Sequence, residues 1–404
     1  MKWHLGALSM LVASALVACG GETASPAPEE EPAKVSFDMT TSLPAGTEAE
    51  HCKFVEGPAE GMLVNRDEIR FSEGSHHFLL YRTPYEAIPT TRDDGTPIEY
   101  LDAEQGVFDC SEGVQVNFTV QQLVGGSQNG DGDAMVDLPP GIAIRVPPKA
   151  VLLMNAHYIN TSTQALQPEV HVDLLTLEES ELEQEGGLLF WYNPFIKAPG
   201  QGQGSAQMIC DLPGDVTLTN AQSHMHARGV GYEAVLSGPE GDQTIYVSDQ
   251  WEDVPVEVYD GGMAISGGSR LAFTCRYDNP GMDDVFQGPR STDEMCMFIG
   301  SYYPARPEVD LCSGDPSEPF TTNFMGGEWV GQGSASCAES LTCFQSALGQ
   351  GQQALAATTE CILASDPAVS PELSAAIGCT FTKFTLGENP LMACTDAFAA
   401  CQQK

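Results

Sequence analysis

Short runs of alternating or continuous apolar residues, separated by Gly, Pro, Asn and Asp, cover the chain from about residue 36 to 330. Runs of this length between turn residues are typical of antiparallel strands rather than of alternating strands and helices. The clearest runs are 77–81, 114–120, 142–146, 150–155, 170–175, 232–236 and 270–275. The pattern therefore predicts an all-β region built from antiparallel β-sandwiches.

Two changes in this pattern divide the chain. An acidic, helix-like stretch at 177–185 interrupts the strand runs, so we place a connector there, between a first β-sandwich at 36–185 and a second at 186–330. From 331 to 404 the composition changes to Ala, Gln, Leu and Cys, which favours helices. A segment this small has little core of its own, so disulfides are expected to stabilise it. The sequence thus predicts two tandem, jelly-roll-like sandwiches and a small disulfide-rich helical tail.

The N-terminus predicts export. The apolar run from Leu5 to Ala18 is too short to span a membrane and has the length of a signal-peptide core. It leads into Cys19-Gly20 and resembles a bacterial lipobox, so residues 1–19 are interpreted as a lipoprotein signal with Cys19 as the lipidated residue. An ordinary secretory signal that contains a cysteine is the alternative. Residues 20–35 are rich in Glu, Pro and Ala and predict a flexible tether.

Charge restricts the possible partners. The chain has 56 Asp and Glu residues against 17 Lys and Arg. Nucleic acids and anionic lipid surfaces bind to basic protein surfaces, so the sequence argues against both. The expected location is the bacterial cell envelope, with the lipid anchor as the only contact with the membrane. The acidity itself is explained by solubility and does not identify a substrate.

The cysteines agree with export. Besides Cys19, the other 12 of the 13 cysteines are an even number, as expected for disulfides in an oxidising compartment. They fall into three even groups, which indicates three separately closed units. The groups are Cys52 and Cys110; Cys210, Cys275, Cys296 and Cys312; and Cys337, Cys343, Cys361, Cys379, Cys394 and Cys401.

Five of the eight histidines suggest a metal site. His224 and His226 are two residues apart, so on a strand both rings point to the same face and can share a metal. A polar, solvent-facing strand is the alternative. His76 and His77 are neighbours, which on a regular strand point to opposite faces. They can share a metal only at a twist, a bulge or a strand end.

Four short motifs occur in a fixed order along the chain: Ser75-His-His-Phe-Leu-Leu-Tyr81, Asn155-Ala-His-Tyr158, Ser223-His-Met-His226 and Thr292-Asp-Glu-Met-Cys296. Over about residues 45–315, this series resembles the copper type II, ascorbate-dependent monooxygenases, the family of peptidylglycine α-hydroxylating monooxygenase and dopamine β-monooxygenase. The resemblance implies two coppers per chain. It implies a first copper held by His76, His77 and His157, and a second, O2-binding copper held by His224, His226 and Met295.

The chemistry of the second ligand set fits this resemblance. A thioether is a soft ligand that favours Cu(I), whereas zinc prefers thiolate, imidazole or carboxylate. Three protein ligands also leave a coordination position open, as a catalytic metal requires. The alternative for Met295 is a buried core methionine, and Met297 is the nearby rival for the sulfur ligand. The resemblance further implies the disulfides Cys210–Cys312 and Cys275–Cys296, while Cys52–Cys110 would close the first domain.

The implied reaction is the hydroxylation of a C–H bond with O2 and two electrons from ascorbate or another small reductant. In the peptide-amidating member an arginine that binds the substrate carboxylate stands where this chain has Gln222, and Met297 and Ile299 also differ. These differences favour a neutral or apolar small-molecule substrate. Two alternatives remain: a non-catalytic copper-binding or copper-delivery lipoprotein, and a surface scaffold that uses its tail as an interaction module.

Overall fold

The computed structural model describes residues 33–129, 134–312 and 326–404. The predicted signal peptide and lipobox, and the tether as far as residue 32, lie outside the described residues. Strands dominate up to residue 312 and helices dominate from residue 337 onward. The mostly β fold with disulfide-rich C-terminal helices is therefore confirmed. Within the described ranges, none of the helices has the length and apolar character that crossing a membrane requires.

The first β region contains two sheets. One has six strands in the order β5-β6-β2-β9-β4-β7, and the other has five in the order β1-β10-β3-β8-β11. The strands are β1 (Lys34–Thr40), β2 (Glu48–Glu56), β3 (Met62–Phe71), β4 (Ser75–Arg82), β5 (Tyr100–Asp102), β6 (Val107–Asp109), β7 (Gln122–Ser127), β8 (Ile142–Val146), β9 (Val151–Ile159), β10 (Glu169–Thr176) and β11 (Gln184–Glu185).

Side chains along β4 point alternately to the two faces of the six-stranded sheet, and the two faces have different surroundings. Phe78 and Leu80 are fully buried in the first hydrophobic core. His77, Leu79 and Tyr81 line a cavity. Because successive side chains of a strand point to opposite faces, one face of β4 builds the core and the other carries the histidine motif.

The second β region contains a four-stranded sheet, β12-β21-β15-β18, and a five-stranded sheet, β17-β16-β19-β14-β22, with a short pair β13-β20. Its elements are β12 (Gly187–Tyr192), β13 (Lys197–Ala198), β14 (Gly202–Leu212), β15 (Val216–His224), β16 (Gly229–Gly238), β17 (Gly241–Ser248), β18 (Glu257–Ile265), β19 (Ser269–Asn279), β20 (Val285–Phe286), β21 (Met297–Tyr303) and β22 (Glu328–Trp329). The short helix α2, which we number after the α1 turn described below, spans Pro307–Asp310.

Three strands of the four-stranded sheet, β12, β15 and β21, are buried on both faces. On β12, Phe190 and Tyr192 belong to the first hydrophobic core, while Leu189 and Trp191 belong to the second. This explains why β12 is a continuous apolar run rather than an alternating one. The sheet therefore joins the two β regions through a shared apolar layer.

One predicted strand is wrong. Residues 114–120 do not form a strand; they begin with the helical turn α1 (Val114–Asn117). Gly113 enters this turn with a φ of 99°, which glycine adopts readily. Val114 and Phe118 are buried and four residues apart, the spacing that places two side chains on one side of a helical turn. The apolar run thus follows a helical spacing that its β-branched composition concealed.

The tail consists of five helices with three disulfides of its own. The helices are α3 (Cys337–Ala347), α4 (Ala354–Ala364), α5 (Ser370–Thr385), α6 (Pro390–Ala393) and α7 (Thr395–Gln402), with 3₁₀ segments at Leu348–Gln353 and Pro367–Val369. The disulfides are Cys337–Cys401, Cys343–Cys361 and Cys379–Cys394. Although the cysteines pair within the tail, its apolar side chains, such as Phe344 and Leu373, pack in the second hydrophobic core.

Candidate metal centre

The first ligand set is built by strand register. His77 of β4 lies opposite His157 of β9, and the register shifts between Ser75 and His77, which leaves His76 as an extra, bulged residue. A bulge turns neighbouring side chains toward the same side of a sheet. The nitrogens of His76, His77 and His157 that can bind a metal lie within 4.8 Å of one another. Two adjacent histidines can share a metal where the strand has a bulge, and His76 and His77 lie at such a bulge.

The ring nitrogens of this set are buried and have no partner among the described residues. This applies to His76 Nε2, His77 Nδ1 and His157 Nδ1. Burial lowers the pKa of His76 to about 4, with a contribution from the nearby His157, and it holds the pKa of His77 well below its usual value. The imidazoles of His76 and His77 are therefore neutral at physiological pH, the form that binds a metal. Leaving buried nitrogens unpaired is costly, and a bound metal would remove that cost.

His157 is oriented from the opposite side of its ring. Its Nε2 lies 2.9 Å from a carboxylate oxygen of Glu48 on β2. Burial raises the pKa of Glu48, but hydrogen bonds from His157 and Ser291 outweigh it and lower the pKa to about 2. An ionised carboxylate accepts the Nε2 hydrogen, which leaves His157 Nδ1 as the nitrogen facing His76 and His77.

The second ligand set lies at a strand end and a turn. His224 is the last residue of β15 and pairs with Met297 of β21, while His226 follows beyond the strand. One regular strand therefore does not carry both histidines. The backbone N–H of His226 donates to the Glu294 carboxylate instead of to a neighbouring strand. The two rings nevertheless lie 5.2 Å apart between centroids.

The ring nitrogens of the second set also fit a metal. Both nitrogens of His226 are buried without a partner among the described residues. Burial lowers the pKa of His224 to about 3, with contributions from His76 and His157, and it holds the pKa of His226 well below its usual value. His224 Nδ1 lies 2.7 Å from the side-chain oxygen of Gln128, so its Nε2 remains for a ligand.

Each residue of the Asp-Glu-Met-Cys motif after the aspartate has a separate contact. Buried Glu294 accepts hydrogen bonds from the backbone of His226 and Arg228, and burial raises its pKa to about 7. Half-buried Met295 lines a cavity. Cys296 forms a disulfide with Cys275. The motif therefore holds the turn of His226 while bringing a thioether to the cavity.

The structure brings the two ligand sets together. The rings of His77 and His224 lie 5.2 Å apart between centroids, although they come from different sheets. Trp251 of the second β region also lies against the first set, 5.7 Å from the ring of His76. The sequence placed each set in its own domain and gave no distance between them. All five histidines form one cluster.

A cavity of about 430 Å³ adjoins this cluster. Its wall includes His77, His224 and both candidate sulfur ligands, Met295 and Met297. The remaining wall is largely aromatic and aliphatic, with a few polar side chains and no Lys or Arg among the described residues. Its main contributors are Tyr81, Phe190, Tyr192, Ile299, Glu50 and Asn155. This composition is typical of a binding site for a small organic molecule.

Sequence reasoning missed three residues that support the site: Glu48, Gln128 and Glu294. Glu294 stands inside the quoted motif, so its position was a signal. Glu48, Glu50 and Cys52 follow one another at intervals of two residues on β2. This spacing places both carboxylates on the same face of the strand. Gln128 left no signal in the sequence. Gln222, the substrate-position residue in the resemblance, lies outside the cavity wall and binds Gln128.

The disulfides of the β regions are Cys52–Cys110, Cys210–Cys312 and Cys275–Cys296. These are the same three pairs that the sequence analysis expected. Cys275–Cys296 joins β19 to the residue that follows Met295. It therefore limits the freedom of the segment that carries the sulfur.

The chain was compared with known proteins. Its residues 199–324 match the family model of the copper type II ascorbate-dependent monooxygenase, C-terminal domain. A search of curated proteins gives no significant match. The matched segment contains His224, His226 and Met295.

Solved structures give only weak likenesses. A structure of Sulfolobus Turreted Icosahedral Virus has 11% identity, a TM-score of 0.16, and coverage of 70% of this chain and 99% of that chain. The major capsid protein P2 of bacteriophage PM2 has 10% identity, a TM-score of 0.21, and coverage of 67% and 97%.

The donor set fits copper on its own chemistry. Imidazole nitrogens without a partner among the described residues and a thioether are ligands that suit copper, and the half-buried carboxylate of Glu48 orients the His157 ring through its other nitrogen. The family match covers the segment that contains the second ligand set. The match over residues 199–324 supports the copper type II ascorbate-dependent monooxygenase family for this chain.

Proposed function

We propose that this protein is a copper-dependent monooxygenase that hydroxylates a C–H bond of a small substrate with O2 and a small reductant such as ascorbate. One observation carries the proposal: the five histidines form one cluster, and two of them, His77 and His224, border a largely apolar cavity together with Met295 and Met297. Metal ligands that border a cavity, rather than a packed core, suit a metal that acts on a bound molecule.

In this proposal each ligand set belongs to its own β-sandwich and holds one copper. His76, His77 and His157 hold the first, and His224, His226 and Met295 hold the second. Bound copper supplies the electron transfer and the O2 chemistry of the reaction. The overall balance consumes the substrate R–H, O2, two electrons and two protons, and gives R–OH and water. The reductant provides the electrons.

The chain's own residues hold and shield the reactants. Burial keeps four of the imidazoles neutral, those of His76, His77, His224 and His226, and the largely apolar wall offers contacts to an apolar substrate. Because its described wall contains no Lys or Arg, a substrate carboxylate would find no cationic partner there. The cavity therefore supports a neutral or apolar substrate over a peptide with a free carboxylate.

We further propose export to the bacterial cell envelope with a lipid at Cys19. Six disulfides support an oxidising compartment. Metabolic labelling with a radioactive fatty acid tests the anchor: wild type takes up label, and Cys19→Ala does not.

The function is tested with protein that begins at residue 20, loaded with copper. We expect two coppers per chain and O2 uptake that depends on ascorbate and rises with a suitable small apolar substrate. His224→Ala should abolish the uptake, and His171→Ala, which changes an exposed histidine outside the cluster, should not. Bound copper without substrate-stimulated uptake under any reductant would instead favour a copper-binding or copper-delivery protein.

A further inference from the structure

One carboxylate of the first β region contacts residues that belong to both ligand sets. Glu48 lies on β2, and its Oε1 is 2.9 Å from His157 Nε2. The same oxygen accepts the backbone N–H of Ser291 at 2.5 Å, and Oε2 accepts the Ser291 hydroxyl at 3.0 Å. Ser291 lies four residues before Met295. Glu48 therefore connects a ligand of the first set to the segment that carries the sulfur of the second.

An amide of the first β region makes a similar contact. Gln128, immediately after β7, donates from Nε2 to Gln222 Oε1 and to the Ser223 carbonyl, both at 2.8 Å. Its Oε1 then faces His224 Nδ1 at 2.7 Å. Since Nε2 is engaged with two acceptors, the oxygen must accept the hydrogen of His224 Nδ1. This fixes the tautomer in which His224 Nε2 is free to bind a metal.

We propose that Glu48 and Gln128 are positioning residues through which the first β region orients the second ligand set. The second set has little backbone support of its own, because His226 lies in a turn and Met295 precedes β21. Gln128 holds the ring of His224, and Glu48 holds the start of the Met295 segment. The second set is thus complete only when the first β region is packed against it.

This inference rests on the proposed function only for the identity of the metal. It goes beyond that function because it makes the affinity of one copper set depend on residues outside its own domain. A residue that acts only within the first domain would leave the second copper unaffected. The inference therefore predicts an effect that a local role of Glu48 on His157 does not.

The experiment removes the first set with His157→Ala, so that the remaining copper reports on the second. In this background, Cu(I) affinity is measured by competition with a chromophoric chelator for Glu48→Ala, Glu48→Gln and Gln128→Ala. We expect both alanine variants to bind Cu(I) about 10-fold more weakly or worse, the usual effect of losing a residue that orients a ligand. Glu48→Gln keeps an oxygen acceptor for Ser291 and should recover most of the affinity.

Matched controls lie on the same elements. Glu56→Ala removes an exposed carboxylate at the other end of β2, and Gln121→Ala removes an exposed amide immediately before β7. Neither should change the affinity. X-ray absorption of the bound copper adds a structural readout: the copper–sulfur signal should weaken in Glu48→Ala and persist in Glu56→Ala.

The outcomes separate this inference from the proposed function. Wild-type protein without bound copper would overturn both. Two coppers in wild type, with unchanged second-set affinity and an unchanged sulfur signal in the folded alanine variants, would overturn this inference alone. If one alanine variant does not fold, the other alanine variant and Ser291→Ala decide: unchanged second-set affinity in both also overturns the inference.

Discussion

The two ligand sets are positioned by different means. In the first, His77 and His157 face each other across hydrogen-bonded strands, and a bulge adds His76. In the second, His224 ends a strand, His226 lies in the turn beyond it, and Met295 precedes the next strand. The backbone ladder therefore places the first set. Individual side-chain contacts and a disulfide place the second.

This difference predicts different sensitivities. A ladder consists of many hydrogen bonds, so the loss of one contact changes the relative position of two paired residues little. A turn that depends on Glu294 and a ring that depends on Gln128 have no such redundancy. The second set should therefore respond more strongly to changes in its surroundings, while both respond to the loss of a ligand.

The largest expected effect is the loss of a ligand. His157→Ala should lower the copper content from two per chain to one, and so should His224→Ala, because each leaves its set with two ligands. Metal analysis of the purified variants measures this. One copper in wild type, or loss of both metals from either variant, would show that the adjacent rings of His77 and His224 belong to a single site.

The sulfur ligand is the next test, because Met295 and Met297 both line the cavity. Met295→His should bind nearly normal copper, since imidazole also suits copper, but lose most reductant-driven O2 uptake because the ligand is harder. Met297→Leu should change little. Copper per chain and O2 uptake with ascorbate are measured on each variant. If Met297→Leu is the variant that fails, Met297 is the ligand and the assignment to Met295 is wrong.

Loss of the disulfide beside Met295 should weaken copper binding at the second set and leave copper binding at the first set unchanged. Replacing both Cys275 and Cys296 with Ala removes a disulfide whose cysteines are 21 residues apart in sequence. From loop-closure entropy, a disulfide of this span contributes about 3 kcal/mol to the free energy of unfolding. We expect lower unfolding stability and weaker Cu(I) binding at the second set. Replacing Cys379 and Cys394 in the tail is the matched control, and it should leave copper binding intact. Equal loss of copper at both sets would show that this disulfide does not act on the second set in particular.

Much of the first set could be predicted from the sequence. Adjacent histidines required a bulge, a strand end or a twist, and His76 lies in a bulge. The apolar runs around His77 and His157 also predicted strands, and both histidines lie on strands. By contrast, the turn at His226 depends on Glu294, a contact 68 positions away, and no local pattern records such a contact.

The remaining differences also come from tertiary packing. Glu48 and Ser291 are 243 positions apart, so their contact could not be read from spacing. The apolar run at 114–120 looked like a strand because its branched residues favour strands, yet the packing of Val114 and Phe118 selected a helical turn. The cysteine grouping predicted a separate tail, but pairing within the tail says nothing about where its apolar side chains are buried.

The smallest expected effect lies in the tail and separates stability from the metal centre. Ser336 caps α3: its hydroxyl accepts the backbone N–H of Glu339, whose side chain accepts the backbone N–H of Ser336 in return. Ser336→Ala should cost about 1 kcal/mol of unfolding free energy, the usual value of such a cap. Copper per chain should remain two, because no ligand contacts α3 among the described residues. Thermal unfolding measures the change in stability, and metal analysis measures the copper content. A loss of copper after so small a loss of stability would mean that copper binding depends on the stability of the whole fold rather than on the contacts of the metal centre.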